Sequence, residues 1–559
     1  MEHARSSVAI APDLRPTIAP AASSPIAVAA RAFGDGYPAV RQRWIRAAGL
    51  FFAAATVFYL PWLLTSLNGA LPWLIWPFWF ANLFTLAHVL LSVVNSWWRT
   101  APAPRSLPAS GEPTVGVIIP TCGEPIPMVL RTIVSLLEQD WPHDRLVIVV
   151  SDDAHDAELE AAVSDYPVLY YSPPPRSAPG RDGAAKAGNL NAALGFLDER
   201  YPGLAYIETR DADDELASLQ FLRQVIGQLE ADDRLAYVQT IKEAQVSAGD
   251  PFNNREAIFY RGQMLARNAA NAVFPCGSGV VWRRTALQDI GNFPTWNLVE
   301  DLQSGVEALC RGWRGLYLPI VGAVPQHSPE DIPNFYKQRG TWCLDTVRLI
   351  LWRGLRGMTI RQKAHFFELM LFYLSSFTVL IYLPAIAASL LGYVPIDSST
   401  GSFLAHMLPI VIATEVWLLA LNYPYNDRRR RQRHLYRDLW RVRTMWAGLA
   451  PVFMKASIQA VVNGPNHKPS YKVTRKHDDL RWHWRDTLPQ ASIVVAVVAT
   501  LVYALRFGTL PSPVLLLGTV YWGGLNVILL GNFVTRGWHG LAFAKSLLRR
   551  GPVTADSTP

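Results

Sequence analysis

Apolar stretches long enough to cross a membrane alternate along this chain with segments of ordinary polarity. Residues 47–66 and 67–98 contain no Asp, Glu, Lys or Arg, and further apolar stretches follow a long polar segment. A helix of about 20 apolar residues crosses the hydrocarbon core of a bilayer. The pattern therefore predicts six membrane-spanning helices, at 47–66, 67–98, 366–391, 403–423, 487–505 and 512–534. Buried core helices of a large soluble protein are the alternative, which the Trp and Tyr residues near the ends of these stretches disfavour.

Two other segments combine apolar and basic residues with a helical period. Residues 334–352 and 439–462 are amphipathic, and we predict that they lie at the membrane surface as interfacial helices. In the first of them we expect Leu349 and Leu351 to point toward lipid. Glu368 falls near the start of the third predicted span, where a charged side chain should lie at the interface or face protein.

The polar segment between the second and third spans has the pattern of an α/β domain. Short β-branched runs predict strands at 114–120, 145–153, 168–175 and 204–215. Residues 128–139 and 184–200 predict helices between these strands. Strands that alternate with helices indicate a mostly parallel sheet covered on both faces.

Composition and charge suggest a membrane surface rather than nucleic acid as the partner. Only 17% of residues are charged, against about 25% in ordinary soluble domains. The net charge of +8 arises from basic residues at the ends of the predicted spans, such as Arg41, Arg43 and the run 428–433. Because cytosolic loops carry the excess of Lys and Arg, both termini and residues 100–345 are expected in the cytosol.

These features divide the chain into five parts. We expect a disordered cytosolic tail at 1–40, two spans at 41–99, a cytosolic domain at 100–345, interfacial helices with four spans at 346–537, and a second cytosolic tail at 538–559. The first tail is assigned from its many Ala, Pro and Ser residues and its near lack of aromatic side chains.

The cysteines give no sign of a disulfide framework or a zinc site. All four fall in the expected cytosolic domain, and none has C-x-x-C spacing: Cys122, Cys276, Cys310 and Cys343. Thiols in a reducing compartment stay reduced, so we expect free cysteines.

Acidic residues recur where predicted strands end. Asp152 and Asp153 close one strand, and Asp211 and Asp213 follow another within RDADDE at 210–215. Ligands of parallel α/β sheets bind at the carboxyl ends of the strands. Two carboxylates spaced i, i+2, together with a diphosphate, suit Mg²⁺ or Mn²⁺. A solvated acidic turn is the alternative, since D-x-D by itself is a weak signal.

The order of short motifs adds a resemblance to a known family. IPTCGEP, SDD, KAGNLN, DAD, FPCGSG, VED and QRGTW follow one another as in processive family 2 glycosyltransferases. PNHKPSYKVTRK at 465–476 resembles the gating loop of bacterial cellulose synthase catalytic subunits, and we place that loop at 464–478. The resemblance covers about residues 45–535 and implies a GT-A-type glycosyltransferase domain inserted in an α-helical membrane domain.

The resemblance implies a nucleotide-sugar site and a metal site. The nucleotide-sugar residues would be Thr121, Glu124, Asp152, Asp153, Lys186, Asp211, Thr474 and Lys476. Asp211 and Asp213 would hold Mg²⁺ or Mn²⁺. From the residues alone, the pair at 152–153 could instead cap the following helix, and Lys186 could be a surface lysine.

The resemblance also implies an acceptor site with one catalytic carboxylate. Asp301 of VED would be the base that takes the proton of the acceptor hydroxyl. The acceptor residues would be Cys276, Gly277, Ser278, Glu300, Gln338, Arg339 and Trp342. Thr341 stands where the family has the Arg of Q-x-x-R-W, so the charge that neutralises the leaving diphosphate must come from elsewhere. The alternative for Glu300 and Asp301 is that they only cap a helix.

Taken together, the resemblance implies an inner-membrane enzyme that polymerises a UDP-sugar, most simply UDP-glucose, into a β-glucan and passes the chain across the bilayer. Its partners would be the nucleotide sugar, the polysaccharide, the lipid bilayer and export proteins in the periplasm or outer membrane, with no nucleic acid. Three alternatives stay open: a chitin- or hyaluronan-like synthase, a non-processive transferase with a lipid acceptor, and a transporter whose cytosolic domain only binds a nucleotide.

Overall fold

The computed structural model describes most of the chain between its two tails. The described residues are 39–179, 181, 183, 185–245, 259–327, 329, 331–393, 395–422, 435–466, 483–509 and 513–537. Thr474 and Lys476 of the predicted gating loop, and the predicted tails except residues 39 and 40, lie outside them.

One mixed, mostly parallel sheet of seven strands forms the polar domain. The strands are β1 (Val115–Thr121), β2 (Leu146–Asp152), β3 (Leu169–Tyr171), β4 (Tyr206–Thr209), β5 (Leu235–Gln245), β6 (Val280–Arg283) and β7 (Arg314–His327). Their order across the sheet is β3-β2-β1-β4-β6-β5-β7. Only β6 runs antiparallel to its neighbours β4 and β5. The predicted α/β fold class is confirmed.

The helices fall into a set around the sheet and a set of long apolar ones. Helices of the sheet domain are α3 (Ile126–Leu137), α4 (Ala157–Val163), α5 (Ala185–Arg200), α6 (Phe221–Glu230), α7 (Met264–Ala269), α8 (Arg284–Asp289) and α9 (Glu300–Cys310). Outside it are α1 (Ala39–Thr65), α2 (Pro72–Ser96), α10 (Ile332–Arg348), α11 (Ile360–Leu374), α12 (Val379–Leu390), α13 (Thr400–Asn422), α14 (Leu435–Val462), α15 (Leu488–Phe507) and α16 (Pro513–Gly537).

Both faces of the sheet are covered, because side chains of a strand alternate between its two faces. Val117 and Ile119 of β1 pack with Ile133 of α3 on one face. Ile118, between them, packs with Leu194 of α5 on the other face. A strand buried on both faces has to be apolar at every position, which explains the unbroken run VGVII in the sequence.

Six helices among the described residues are long and apolar enough to cross a membrane. They are Gln42–Thr65, Pro72–Ser96, Ile360–Leu390, Thr400–Leu421, Leu439–Val462 and Trp484–Phe507. Five of them match predicted spans. Leu439–Val462 meets the same measure of length and hydropathy although its pattern predicted an interfacial helix, and the predicted span at 512–534 corresponds to α16.

Two predictions about single side chains in this part have different outcomes. Glu368 faces protein as expected, since Asn95 Nδ2 donates a hydrogen bond of 2.6 Å to its carboxylate. The expectation for Leu349 is wrong, because Leu349 is fully buried whereas Leu351 is 47% exposed. The helix continues as a wider π-turn at Leu349–Arg353, where the rotation per residue differs from that of an α-helix.

Arg210 is the fully buried anchor of the RDADDE turn. It forms an ion pair with Glu208 of β4, and neither side chain is exposed to solvent. Its Nη1 also donates to the backbone carbonyls of Asp214 at 3.2 Å and Gly322 at 3.0 Å. The arginine that interrupts the acidic run therefore fixes the course of the turn and ties it to β7.

We expect Arg210→Met to destabilise the protein by about 3 kcal/mol, because it leaves the Glu208 carboxylate buried and unpaired. The measurement is the thermal unfolding midpoint of the purified full chain, followed by tryptophan fluorescence. Arg145→Met, which removes an exposed pair with Asp144, is the control and should change stability by less than about 1 kcal/mol. Equal midpoints for the two variants would contradict the anchoring role of Arg210.

Candidate active site

The carboxyl ends of β1 and β2 meet at Thr121 and Asp152, which are register partners in the sheet. Asp152 is fully buried and accepts hydrogen bonds from the Thr121 hydroxyl at 3.0 Å and the Tyr170 hydroxyl at 3.0 Å. It also accepts from the backbone amides of Ala154 at 3.0 Å and Asp156 at 2.7 Å. Asp152 and Thr121 thus stabilise the strand ends, and their contact with a nucleotide stays a prediction.

Asp153 lies beside two arginines that the sequence analysis did not identify. Arg176 Nε is 2.9 Å from one oxygen of Asp153, and Arg181 donates to the other. Arg176 also donates to Cys122 Sγ at 2.9 Å, and the amide of Cys122 donates to Glu124 at 2.5 Å. Arg176 and Arg181, which follow β3 in the chain, therefore bring positive charge to the predicted nucleotide side. Basic residues directly after a strand were the signal that could have found them.

Asp211 lies between two lysines. Lys186, at the start of α5, contacts one carboxylate oxygen, and Lys242 Nζ of β5 is 3.1 Å from the other. Lys242 is nearly buried and also lies 3.6 Å from Asp214. The sequence analysis missed Lys242, because a lysine in a strand that also contains Gln239, Thr240 and Glu243 has no distinct local signal.

The same two lysines hold the loop FPCGSG. Lys186 Nζ donates to the carbonyl of Gly277 at 3.0 Å, and Lys242 Nζ donates to that of Cys276 at 3.3 Å. The Asp211 amide donates to Ser278 Oγ at 3.0 Å. This loop reaches the acidic turn because β6 runs antiparallel, so the residues before Val280 lie at the edge where β4 ends.

Gly277 lies close to both Asp301, the candidate base, and Lys186. Its φ is +81°, which glycine adopts without strain. A Cβ atom there would lie 3.1 Å from Asp301 Oδ2 and 3.3 Å from Lys186 Nζ. The structure therefore brings together Asp301, Lys186, Asp211 and the predicted acceptor loop, and their roles stay predictions.

Burial shifts the protonation equilibria of the VED carboxylates. Burial raises the pKa of Asp301, and the nearby Lys186 opposes the rise. Burial likewise raises the pKa of Glu300 to about 7, with Lys186 lowering it and Asp301 raising it. For Lys186, burial lowers the pKa, but Asp211 and Glu300 outweigh this and leave it above the ordinary value. Lys186 is thus a permanent cation beside both acids.

Asp345 connects the QRGTW helix to the VED segment. This fully buried carboxylate accepts from the backbone amides of Leu298 at 2.7 Å and Val299 at 2.8 Å. Trp342, three residues earlier on α10, lies on the same helix face as Asp345. Arg339 lies with its guanidinium 4.3 Å from the centre of the Trp342 ring. Gln338 is half-buried on the same helix, and the acceptor roles of all three stay predictions.

Arg348 and Trp296 connect this region to the first residues of the predicted gating loop. Arg348 Nη2 and Trp296 Nε1 both donate to the carbonyl of Pro465, at 2.9 and 3.0 Å. Arg348 also donates to the carbonyl of Trp296 at 2.8 Å and stacks on its ring at 3.7 Å. Pro465 is thereby fixed to the segment that leads into VED.

The acidic turn has donors for a cation whose other ligands come from a diphosphate. The Asp211 side chain is 28% exposed, and Asp213 is buried nearby. Within the described residues, no three His, Cys, Asp or Glu side chains are grouped around one point. Because Mg²⁺ is commonly bound through one or two carboxylates plus phosphate oxygens and water, this pair fits such an ion.

We expect the stability of the protein to fall as pH rises through about 7, because buried Glu300 binds its proton more tightly in the folded state than its ordinary pKa of 4.5 allows. Below the ordinary pKa, the neutral form of Glu300 contributes its full stabilisation. As pH rises from that pKa through the folded value of about 7, this stabilisation is lost, by about 3 kcal/mol at most. Glu300→Gln should flatten the dependence of the unfolding midpoint on pH. Glu307→Gln, on the same helix but paired with Arg353 at the surface, should leave it unchanged. Parallel profiles for wild type and Glu300→Gln would contradict the shift.

Family models match two overlapping parts of the chain. Residues 116–291 match "Glycosyl transferase family 2", and residues 206–421 match "Glycosyl transferase family group 2". The first match covers the strands and loops that carry Asp152, Lys186, Asp211 and Gly277.

Curated relatives named as cellulose synthases are similar over 49% to 63% of the chain. Cellulose synthase 1 of Komagataeibacter xylinus is 27% identical over 371 residues, 63% of this chain and 23% of that protein. The UDP-forming cellulose synthase catalytic subunit of Komagataeibacter sucrofermentans is 30% identical over 300 residues, 49% of this chain and 37% of that protein. The chain thus spans well under half the length of these relatives.

Among solved structures, the mannosyltransferase PcManGT from Pyrobaculum calidifontis covers 69% of this chain at 19% identity. Its TM-score of 0.47 is too low to assign anything to this chain. The family models and the curated relatives agree with the mixed sheet and its acidic edge. Residues 116–291 therefore resemble a family 2 glycosyltransferase domain, and the chain is similar to cellulose synthase catalytic subunits.

Proposed function

We propose that the chain is a processive, inverting glycosyltransferase that polymerises UDP-glucose into a β-glucan and passes the product across the bacterial inner membrane. The support for sugar transfer is the site itself. The support for a glucan is similarity to cellulose synthases, and the support for export is the set of six helices long enough to cross a membrane.

The observation that carries the proposal is that Asp301 Oδ2 and Lys186 Nζ lie 3.1 Å and 3.3 Å from the position that a Cβ atom at Gly277 would occupy. One is a carboxylate able to accept a proton, and the other is a cation that also contacts the D-x-D residue Asp211. A sugar donor with its diphosphate toward Lys186 would present C1 toward the acceptor loop. A protein that only binds a nucleotide has no need for the carboxylate on the acceptor side.

The chemistry follows from these positions. Asp301 takes the proton of the acceptor hydroxyl while that oxygen forms a bond to C1 of the donor sugar. The bond between C1 and the diphosphate oxygen breaks on the opposite face, so the configuration at C1 inverts. UDP leaves with the bonding electron pair, and Lys186 offsets part of the added negative charge.

Asp211 and Asp213 would hold Mg²⁺ or Mn²⁺ against the diphosphate. The ion would supply positive charge that stabilises the leaving group. Thr341 cannot provide this charge, and Arg339 lies against Trp342. The positive charge that neutralises the leaving diphosphate would therefore come from the ion at the acidic turn. In the family, the Arg of Q-x-x-R-W has this role.

The membrane parts of the proposal concern where the product goes. Trp342 would stack on the acceptor sugar beneath the apolar helices, and Thr474 and Lys476 would contact the nucleotide from the gating loop. The catalytic domain at 100–345 and both termini would be cytosolic, with export partners on the far side of the membrane. The same proposal includes the division of the chain into five parts, with boundaries at residues 40, 99, 345 and 537.

We expect Asp301→Asn to lower the rate of UDP release from UDP-glucose by about 10²- to 10⁴-fold, since a general base contributes that much. The assay uses the full chain reconstituted in lipid, and linkage-specific glucanases then digest the product. Affinity for UDP should change little, because Asp301 acts on the acceptor.

Glu307→Gln on the same helix is the matched control and should turn over like wild type. Full turnover by Asp301→Asn would remove the base assignment. A product that resists every glucanase, or one that carries a single added sugar, would replace the β-glucan with another polymer or with a non-processive transfer.

A further inference from the structure

Lys242 is a buried cation that the proposed reaction does not use directly. Its side chain is only 4% exposed, whereas that of Lys186 is 23% exposed. Both ammonium groups contact the same carboxylate, one at each oxygen of Asp211. Lys186 can therefore reach a ligand in the open site, while Lys242 lies beneath it.

Charge explains why a lysine is placed there. Asp211, Asp213 and Asp214 put three carboxylates into four residues, and Asp214 is fully buried. Like charges this close repel each other strongly when water is excluded. Lys242 lies 3.1 Å from Asp211 and 3.6 Å from Asp214, so it offsets this repulsion from below.

The same contacts oppose a metal ion that arrives alone. A divalent cation at Asp211 must compete with two ammonium groups for the two carboxylate oxygens. Lys186 and Lys242 would also repel it across a few ångströms in a partly buried site. A nucleoside diphosphate changes this balance, because its negative charges attract Lys186 and give the metal ion further oxygen ligands.

We infer that Lys242 is a positioning residue that, with Lys186, acts as an internal counter-ion of the acidic turn and makes divalent cation binding depend on a nucleoside diphosphate. The metal ion then enters with the donor and leaves with the product. This inference rests on the proposed function only in placing the diphosphate at the acidic turn. It does not depend on which sugar is transferred or whether a polymer forms.

The test is Mn²⁺ binding to the purified full chain, followed by the electron paramagnetic resonance signal of free Mn²⁺, with and without UDP. Wild type should bind Mn²⁺ at least about tenfold more tightly when UDP is present. Lys242→Met should bind Mn²⁺ alone about tenfold more tightly than wild type does, and UDP should then add less. A merely structural defect would weaken Mn²⁺ binding rather than strengthen it.

Two lysine variants serve as controls. Lys242→Arg keeps the charge and should retain the wild-type dependence on UDP, and Lys363→Met removes a lysine outside the turn and should behave like wild type. Should Lys242→Met not fold, Lys186→Met gives the second measurement. It should also strengthen binding of Mn²⁺ alone, since it frees the other oxygen of Asp211.

Equal Mn²⁺ affinity in wild type with and without UDP would overturn the inference, as would unchanged affinity in both methionine variants. Turnover of UDP-glucose by wild type is measured on the same preparation. Its absence would contradict the proposed function while leaving the Mn²⁺ comparison valid, so the two failures can be told apart.

Discussion

The contact of Asp211 with two lysines is the interaction on which the rest of the site depends. Lys186 and Lys242 each join this carboxylate to a carbonyl of the loop at 276–277. The acidic turn and the loop at 274–279 come from distant parts of the chain. Without these cations the carboxylates of the turn would repel an approaching diphosphate, and the turn and the loop would lose the contacts that join them. Electrostatic attraction in a partly buried site is strong enough to hold them together.

Sheet topology makes that contact geometrically available. Parallel strands bring their carboxyl ends to one edge, which accounts for Asp152 and the turn after β4. The reversed strand β6 adds the residues that precede it to the same edge, since Val280 pairs with Thr209 at the end of β4. One antiparallel strand in the sheet therefore lets the loop at 276–279 face the acidic turn.

A second set of contacts extends from the site toward the apolar helices. Asp345 of α10 holds the amides of the VED segment, and Arg348, one turn later, holds Pro465 together with Trp296. A single helix thus fixes both the segment that carries the base candidate and the first residues of the predicted gating loop. A change in the position of this helix would therefore affect both places.

The sequence by itself determined the elements and the acids, because these depend on local patterns. The β-branched runs located β1 and β2 within one residue at each end, whereas the predicted strand at 204–215 extended six residues past the end of β4. Uncharged stretches located the long helices, and motif order located Asp211 and Asp301. Tertiary structure alone decided which groups face one another. Lys242 had no local sign of pointing at Asp211, Asp152 proved to be buried among its own hydrogen-bond donors, and Asp345 and Arg176 act on residues far away in the chain. The pattern of apolar and polar residues reflects which positions are buried and whether a segment is a helix or a strand. Contacts between distant segments form only once strand order and helix rotation are set.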